Sequence, residues 1–404
     1  MLASINKDGR KLDVVVAVTK AGNTLILDRE SGEPIFEQRF RRAPTSKIPG
    51  ERTAAYQPDF QWPEPFAKQA FTIDDVTNIS NESRHSVLQQ LENTNFGFYA
   101  PHELGKKTVF FGLHGGAMQM GPGLDQKTGI LYIASTHEPS MFTIKSVRPS
   151  NEKRADQKIT GYREFLTHCA SCHGSSHNAG ASAPSLEAVS NRFNDVSLKQ
   201  IIRRGYQSMP AVTNISDIEI DRLLSYFLAA RQTSPEITES MSQAPAEGLS
   251  IFTRTAYQKL RDREGYPGSR PPWGTLNALD LNSGRIVWRV PLGRYQALID
   301  KGLPLTGTEN MGGPMVTAGG LVFVSGTKDL LIRAFDSESG KVLWEHALPF
   351  VGSASPMTYE HKGQQFIVIP ATGGGTLALY DSRVATGGSF VAFRLGDTPI
   401  GVTN

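Results

Sequence analysis

The chain has 404 residues, of which 39% are hydrophobic and 20% charged, with a formal net charge of only +3. Its mean hydropathy is -0.29, and no apolar run is long enough to span a bilayer. Acids and bases are mixed throughout, which excludes the basic stripe of a nucleic-acid binder and leaves a soluble globular chain long enough for two or more domains.

The N-terminal stretch MLASINKDGRKLDVVVAVTK has neither the long apolar core nor the small-residue cleavage site of a signal peptide, and taken alone it points to the cytoplasm. With 39 glycines and 24 prolines the chain favours turns and short strands. An internal repeat agrees. Ile26-Leu27-Asp28 is followed at fixed spacing by Gly32 and Phe36; the same spacing returns in Ala278-Leu279-Asp280, Gly284 and Trp288, and in Ala334-Phe335-Asp336, Gly340 and Trp344. A degenerate copy runs from Leu124-Asp125 through Gly129 into Leu131-Tyr132-Ile133. Each copy reads as a strand ending at Asp, a polar turn whose Gly supplies a positive φ, and a second strand. The aromatic residue four places after the Gly can dock onto the neighbouring unit. Such units predict a mainly β fold of the propeller type. Asp280 and Asp336 read as structural turn carboxylates, and His114, in Leu113-His114-Gly115-Gly116, as structural too.

Residues 155–232 interrupt this pattern. Stretches 161–169, 196–204 and 217–228 read as helices. Ser216 is the expected N-cap of the last, and Glu219 completes a capping box. Ile220, Leu223, Leu224 and Phe227 recur at a helical period. Polar, Pro-containing linkers flank the block. The expected organisation is propeller blades over 1–150, an inserted all-α domain over 155–232, and further blades over 250–404.

The only two cysteines are Cys169 and Cys172. A disulfide between them would close a strained loop and staple almost nothing. Cys169-Ala170-Ser171-Cys172-His173 matches the c-type haem attachment pattern. Two thiols add across the porphyrin vinyl groups, and the following His is then held against the iron. A thioredoxin-like redox pair expects a βαβ setting that the sequence lacks, and a zinc site needs a further Cys or His pair, which His177 alone does not supply. His168 reads as an exposed helix-end residue. The second axial ligand should lie downstream. Met209 is the only Met of the block, and Pro210 after it keeps the chain extended so that a loop Met can point inward; the plain alternative is a core Met filling a gap. A His173/Met209 pair raises the iron potential and favours electron transfer over oxygen chemistry.

Four features of this block occur in one order: Gly161 and Phe165 before the haem motif, Ala183-Pro184-Ser185-Leu186 after it, the Met209-Pro210 loop, and Tyr226 in the last helix. In this the block resembles class I cytochrome c along its whole length. The resemblance implies thioethers at Cys169 and Cys172 and axial ligands at His173 and Met209.

Outside the block, the relevant stretches are Thr19-Lys20-Ala21-Gly22, Pro271-Pro272-Trp273-Gly274, Glu309-Asn310-Met311-Gly312-Gly313-Pro314, Arg333 to Trp344, and Ser355-Pro356-Met357-Thr358-Tyr359. They resemble the pyrroloquinoline quinone (PQQ)-dependent dehydrogenases, in particular the relatives of membrane glucose dehydrogenase. The resemblance implies an eight-bladed propeller with PQQ near its axis and calcium beside it. Lys20 would contact the quinone oxygens and Asn310 would hydrogen-bond the same edge. A strand-end Lys can stabilise a developing quinol oxyanion, and an Asn amide can donate to the same group; a solvated Lys and a turn Asn are the structural readings. Trp273 would be a blade or ring contact.

In that family a general-base Asp and several blades precede the Lys20-like position. The resemblance therefore implies four or five blades here, a partial propeller, with the catalytic Asp upstream of Met1 and the leader lost with the same segment. The chain would be N-terminally truncated or one half of a split protein. The expected function is PQQ-dependent oxidation of an alcohol or aldose, with electrons passing to the inserted haem c and on to an acceptor in the periplasm. The expected partners include no nucleic acid, and the chain no transmembrane segment. The competing expectation is a non-catalytic propeller scaffold or binding protein that carries an electron-transfer haem.

Overall fold

A computed structural model describes residues 1–113, 115–147, 161–173, 186, 189–206, 209–229, 251–373, 377 and 384–395. His114, His177 and the Ala183-Pro184 pair lie outside the described residues. The chain divides into two compact units, Met1–Thr143 with Gln258–Asn404, and Ile144–Tyr257.

The first unit opens with β1 (Leu2–Lys7), β2 (Arg10–Val18) and β3 (Thr24–Asp28), an antiparallel sheet in which Leu2 faces Val15 and Val14 faces Asp28. β4 (Phe40–Arg42) and β5 (Tyr56–Pro58) form a separate ribbon. Helix α1 (Asn81–Leu91) begins where the Ser80 hydroxyl accepts from the Ser83 N–H. β6 (Thr94–Asn95) then runs parallel to β7 (Lys107–Phe110). Next come β8 (Gly116–Ala117), β9 (Gly123–Asp125), β10 (Ile130–Thr136) and β11 (Ser140–Val147). β12 (Ile251–Arg254) and β13 (Gln258–Lys259) both return antiparallel to β11. β14 (Gly274–Asp280) and β15 (Ile286–Pro291) join earlier strands in a sheet of order β15-β14-β10-β8. A four-stranded meander follows, made of β16 (Met315–Val316), β17 (Leu321–Val324), β18 (Leu331–Asp336) and β19 (Val342–Ala347). β20 (Met357–His361), β21 (Gln364–Gly373) and β22 (Thr386–Arg394) make the last sheet.

These sheets stack in series, and β10 shows how. Its pleat sends Leu131 and Ile133 toward Val14, Val16 and Ile26 of the first sheet. Tyr132 and Ala134 point the other way, toward Val322, Val324 and Phe335 of the meander. Being buried on both faces, the strand reads as a continuous apolar run rather than an alternating one. Ile332 of the meander packs in turn on Ile369 and Ala371 of the last sheet.

The repeated Asp residues hold their own turns. Asp28 Oδ1 accepts from the Glu30 and Ser31 N–H groups, Asp280 Oδ1 from Asn282 and Asp336 Oδ1 from Ser339. The glycine N–H closes each turn on the Asp carbonyl, at 3.0 Å for Gly32, 2.8 Å for Gly284 and 2.9 Å for Gly340. The aromatic residues dock as expected. A Cβ on Gly284 would come within 2.7 Å of the Phe36 ring, and one on Gly340 within 2.7 Å of Trp288. In one respect the first copy departs from expectation: no second strand follows Gly32, where the chain makes only a bridge from Pro34 to Leu27. Phe36 therefore reaches Gly284 from irregular backbone.

The second unit holds the end of β11 paired with β12 and is otherwise helical, with α2 (Tyr162–His168), α3 (Ala170–His173), α4 (Val189–Arg192), α5 (Asp195–Arg204) and α6 (Asp217–Ala229). Tyr162, Phe165, Ile202, Leu223, Tyr226 and Phe227 share its core. α6 starts with the expected box: the Glu219 N–H donates to Ser216 Oγ at 3.3 Å, and the Ser216 N–H to Glu219 Oε2 at 2.8 Å. Gly161, at φ 98°, has no room for a side chain, because a Cβ would overlap the Arg222 carbonyl. Among the described residues no helix is long and apolar enough to cross a membrane.

Candidate functional site

Lys20 sits on the turn between β2 and β3. The turn is closed by the Thr19 N–H on the Asn23 carbonyl at 3.0 Å and the Gly22 N–H on Thr19 at 3.2 Å. It docks on β8 through the Ala117 N–H, which donates to the Thr19 carbonyl at 3.1 Å. A side chain on Gly116, already at φ 61°, would run into the Lys20 carbonyl. Close backbone approach therefore explains the glycines beside His114. Gly116 in turn faces Thr136 of β10.

Asn310 is held at the same end of β10. Its N–H donates to Thr136 Oγ1 at 3.1 Å, and its Nδ2 to the Ser135 carbonyl at 2.7 Å. The residue is fully buried, yet its Oδ1 has no hydrogen-bond partner. The Lys20 turn and Asn310 are thus brought to one strand end. Trp273 is a blade contact, buried between Tyr266 and Tyr295, with its indole N–H donating to the Ser269 carbonyl at 2.6 Å.

Beside them lies a buried charge cluster that sequence reasoning missed. Lys259 Nζ stands 3.2 Å from Glu138 and 3.4 Å from Glu309, Arg261 Nε is 2.8 Å from Glu138, and Lys328 Nζ is 3.7 Å from Glu309. Burial opposes the ionisation of Glu138, but Lys259 and Arg261 outweigh it and hold that carboxyl low. Glu309 is pushed up, first by burial and then by the Glu138 charge. Burial likewise opposes the Lys259 charge, and the two carboxylates overcome it. The cluster reaches the predicted site: Lys20 keeps contact with solvent, but partial burial and then the Lys259 charge lower its pKa. The only sequence signal was Glu309 next to Asn310, together with Lys259 and Arg261 two apart around β13. Removing Lys259 leaves two buried carboxylates with only Arg261 and the longer Lys328 contact to balance them. Lys259→Met should therefore destabilise the protein by about 3–5 kcal/mol in urea unfolding.

His137 is buried one residue beyond β10. Its Nε2 lies 3.2 Å from Ser135 Oγ and 3.1 Å from Thr275 Oγ1. Burial, then the Lys68 and Arg289 charges, lower its pKa to about 3. The folded state therefore resists a proton that the unfolded chain accepts near pH 6.5. Stability should fall as pH drops from that value toward 3, by about 2 kcal/mol at pH 5. Urea midpoints at pH 7 and pH 5 check this; His137→Gln should lose less over the same interval.

In the helical unit Cys169 caps α2, and α3 carries Cys172 and His173. The His173 N–H donates to the Cys169 carbonyl at 3.0 Å. No disulfide joins the cysteines. Cys169 and His173 are buried and Cys172 is exposed. Burial, then Cys172, pushes the Cys169 thiol up to about 11. Two sulfurs and an imidazole on one short helical stretch suit covalent attachment and proximal ligation of one haem. Met209 is half-buried on the loop after α5. Reciprocal backbone bonds with Tyr206, at 2.9 and 3.0 Å, fold that loop back. Among the described residues no group of three or more His, Cys, Asp or Glu side chains converges to hold a metal ion.

Residues 1–185 and 212–367 match a family described as glucose/ethanol/alcohol dehydrogenase, β-propeller domain, of the PQQ type. Residues 156–227 match cytochrome c oxidase, cbb3-type, subunit III. The glycerol dehydrogenase large subunit of Gluconobacter oxydans (strain 621H) is 45% identical over 386 residues, which cover 91% of this chain and 41% of that protein. A probable quinate dehydrogenase (quinone) of Xanthomonas campestris pv. juglandis is 46% identical over 116 residues, 27% of this chain and 15% of that one. The quinoprotein glucose dehydrogenase of Escherichia coli (strain K12) is 37% identical over 143 residues, 33% and 17% respectively. The chain thus spans about two fifths of the glycerol dehydrogenase subunit and a smaller part of the other two.

Proposed function

The chain belongs to the PQQ-type glucose/ethanol/alcohol dehydrogenase propeller family, and from that premise we propose that it serves the oxidation of an alcohol or aldose, with electrons leaving through a haem c to a periplasmic acceptor. Bound PQQ supplies the two-electron oxidation and the haem the single-electron exit. The residues present suit both groups. Lys20, crowded and close to a second ammonium, gains more from an anionic oxygen than an ordinary surface Lys would. The unpartnered Oδ1 of Asn310 can accept a hydrogen bond at the same strand end, and its remaining amide hydrogen can be donated. Cys169 and Cys172 would carry the haem thioethers, and His173 and Met209 the axial imidazole and thioether. No three carboxylates converge for calcium among the described residues, and no step is assigned to it. No residue of the chain is assigned as general base. The names of the relatives (glycerol, quinate and glucose dehydrogenases) support a polyol or sugar as substrate.

The reading is supported by one observation: the Cys169–Cys172–His173 constellation stands in the compact unit Ile144–Tyr257, within the 156–227 cytochrome c match, of a chain that matches a quinoprotein propeller family. The test is the natural polypeptide that carries this chain, purified from a periplasm and supplied with PQQ and calcium. Glycerol, quinate or glucose should bring up the reduced-haem spectrum, and omission of PQQ should prevent it. A haem that stays oxidised with every alcohol and sugar, yet responds to dithionite, favours the scaffold reading instead.

A further inference from the structure

Asn310 is held by separate stretches of backbone, and each carries a member of the buried charge cluster. The end of β10 takes its N–H at Thr136 and its amide at Ser135, and Glu138 follows two residues after Thr136. Beyond β17, Thr327 forms a bridge with Asn310, and Lys328 is the next residue. Glu309 itself immediately precedes Asn310. Lys259 ends β13, and Arg261 lies just after it. The Glu309 carboxyl meets all three cations: Lys259 Nζ at 3.4 Å, Arg261 Nη2 at 3.7 Å and Lys328 Nζ at 3.7 Å. Lys259 extends the tie to Glu138 at 3.2 Å.

Glu138 and Lys328 lie past the last rungs of their strands, since β10 ends at Thr136 and β17 at Val324. The ion pairs fix what the ladders leave loose. Buried ion pairs add little net stability over apolar packing of the same volume, so exact placement is what such a cluster offers. Asn310 needs it, because its Oδ1 is buried without a partner and faces whatever these stretches aim it at. We propose that Glu309 is a positioning residue of the quinone site: through Lys259, Arg261 and Lys328 it fixes the stretches that hold Asn310 and so aims the Asn310 side chain. The inference rests on the reading of Asn310 as a quinone contact. The ionisable groups that face Glu309 are Glu138 after β10, Lys259 and Arg261 around β13, and Lys328 after β17. Burial, then the Glu138 charge, pushes Glu309 up to about 7. Above that pH it is a counter-ion to the three cations. Below it the carboxyl is neutral and bonded to Glu138, and its hold on the cations weakens.

The test is PQQ binding to the natural polypeptide in its PQQ-free form, with calcium present, read by quenching of tryptophan fluorescence at pH 6 and pH 8. PQQ is a tricarboxylate, so bare charge and positioning predict opposite signs. By charge alone, affinity should fall as Glu309 ionises, and Glu309→Gln should bind more tightly. By positioning, the native protein should bind about fivefold more tightly at pH 8 than at pH 6. Glu309→Gln should be about fivefold weaker than native at pH 8 and within about twofold of it at pH 6. A merely structural loss would be the same at both. Asn310→Ala should weaken binding at least about tenfold. If it does not, the reading of Asn310 falls and this inference with it. If it does, while native affinity is flat or falls from pH 6 to pH 8, or folded Glu309→Gln matches native at pH 8, this inference alone is overturned. Thermal midpoints check folding; should Glu309→Gln not fold, the native pH series decides.

Discussion

With Cys169→Ala and Cys172→Ala made together, the protein purified from a periplasm should carry no haem that survives denaturing electrophoresis. The thiols are the chain's only two, so no other side chain can form the thioethers. The unit should remain folded, because its core of Phe165, Leu223, Tyr226 and Phe227 and the Ser216–Glu219 box do not involve either sulfur. Far-ultraviolet circular dichroism gives the control: helical signal kept, stain lost. A stain that persists in the double variant ends the haem reading at these residues. Met209→Ala separates the two axial positions. It should keep the covalent haem and lose the low-spin His/Met spectrum, and an unchanged spectrum removes Met209 as ligand.

Lys20→Ala should lower PQQ-dependent turnover by about 10²–10³, the usual effect of removing one group that stabilises a developing oxyanion. The fold gives little reason for any other loss. The turn is closed by backbone groups of Thr19, Gly22 and Asn23, so an Ala at its exposed tip should change stability by no more than about 0.5 kcal/mol. The pH profile adds a readout that a structural role would not move. Lys20's pKa lies below the ordinary lysine value, by partial burial and then by the Lys259 charge. Activity that needs the ammonium should therefore fall on the alkaline side earlier than a free lysine would dictate. Lys20→Arg, charged at every accessible pH, should push that fall to higher pH. Undiminished turnover in Lys20→Ala would return Lys20 to the status of a solvated strand-end residue.

Much of this architecture is local and so was legible in the sequence. The Asp-to-Gly spacing encodes a turn whose hydrogen bonds lie within a few residues, and the three copies form it alike. The Ser216–Glu219 box and the helical period of α6 are equally short-range. What was not legible depends on residues far apart in the chain. Glu138, Lys259 and Glu309 come from three separate segments, and in sequence each looks like a solvated charge. Phe36 shows the limit of the repeat itself. The ring finds its glycine, but the strand expected to carry it is missing, because docking constrains the side chain more than the backbone behind it.

The helical unit leaves along β11 and returns along β12, with Val147 opposite Ile251, so its entry and exit are adjacent rungs of one antiparallel pair. A segment whose ends are already clamped together costs its host little beyond loop closure, and that cost rises only slowly with length. The haem-bearing module is thus a cassette on a hairpin. It can be lengthened, exchanged or cut back to a tight turn without rewriting the strands that flank it, so a whole module can be gained or lost in one recombination event.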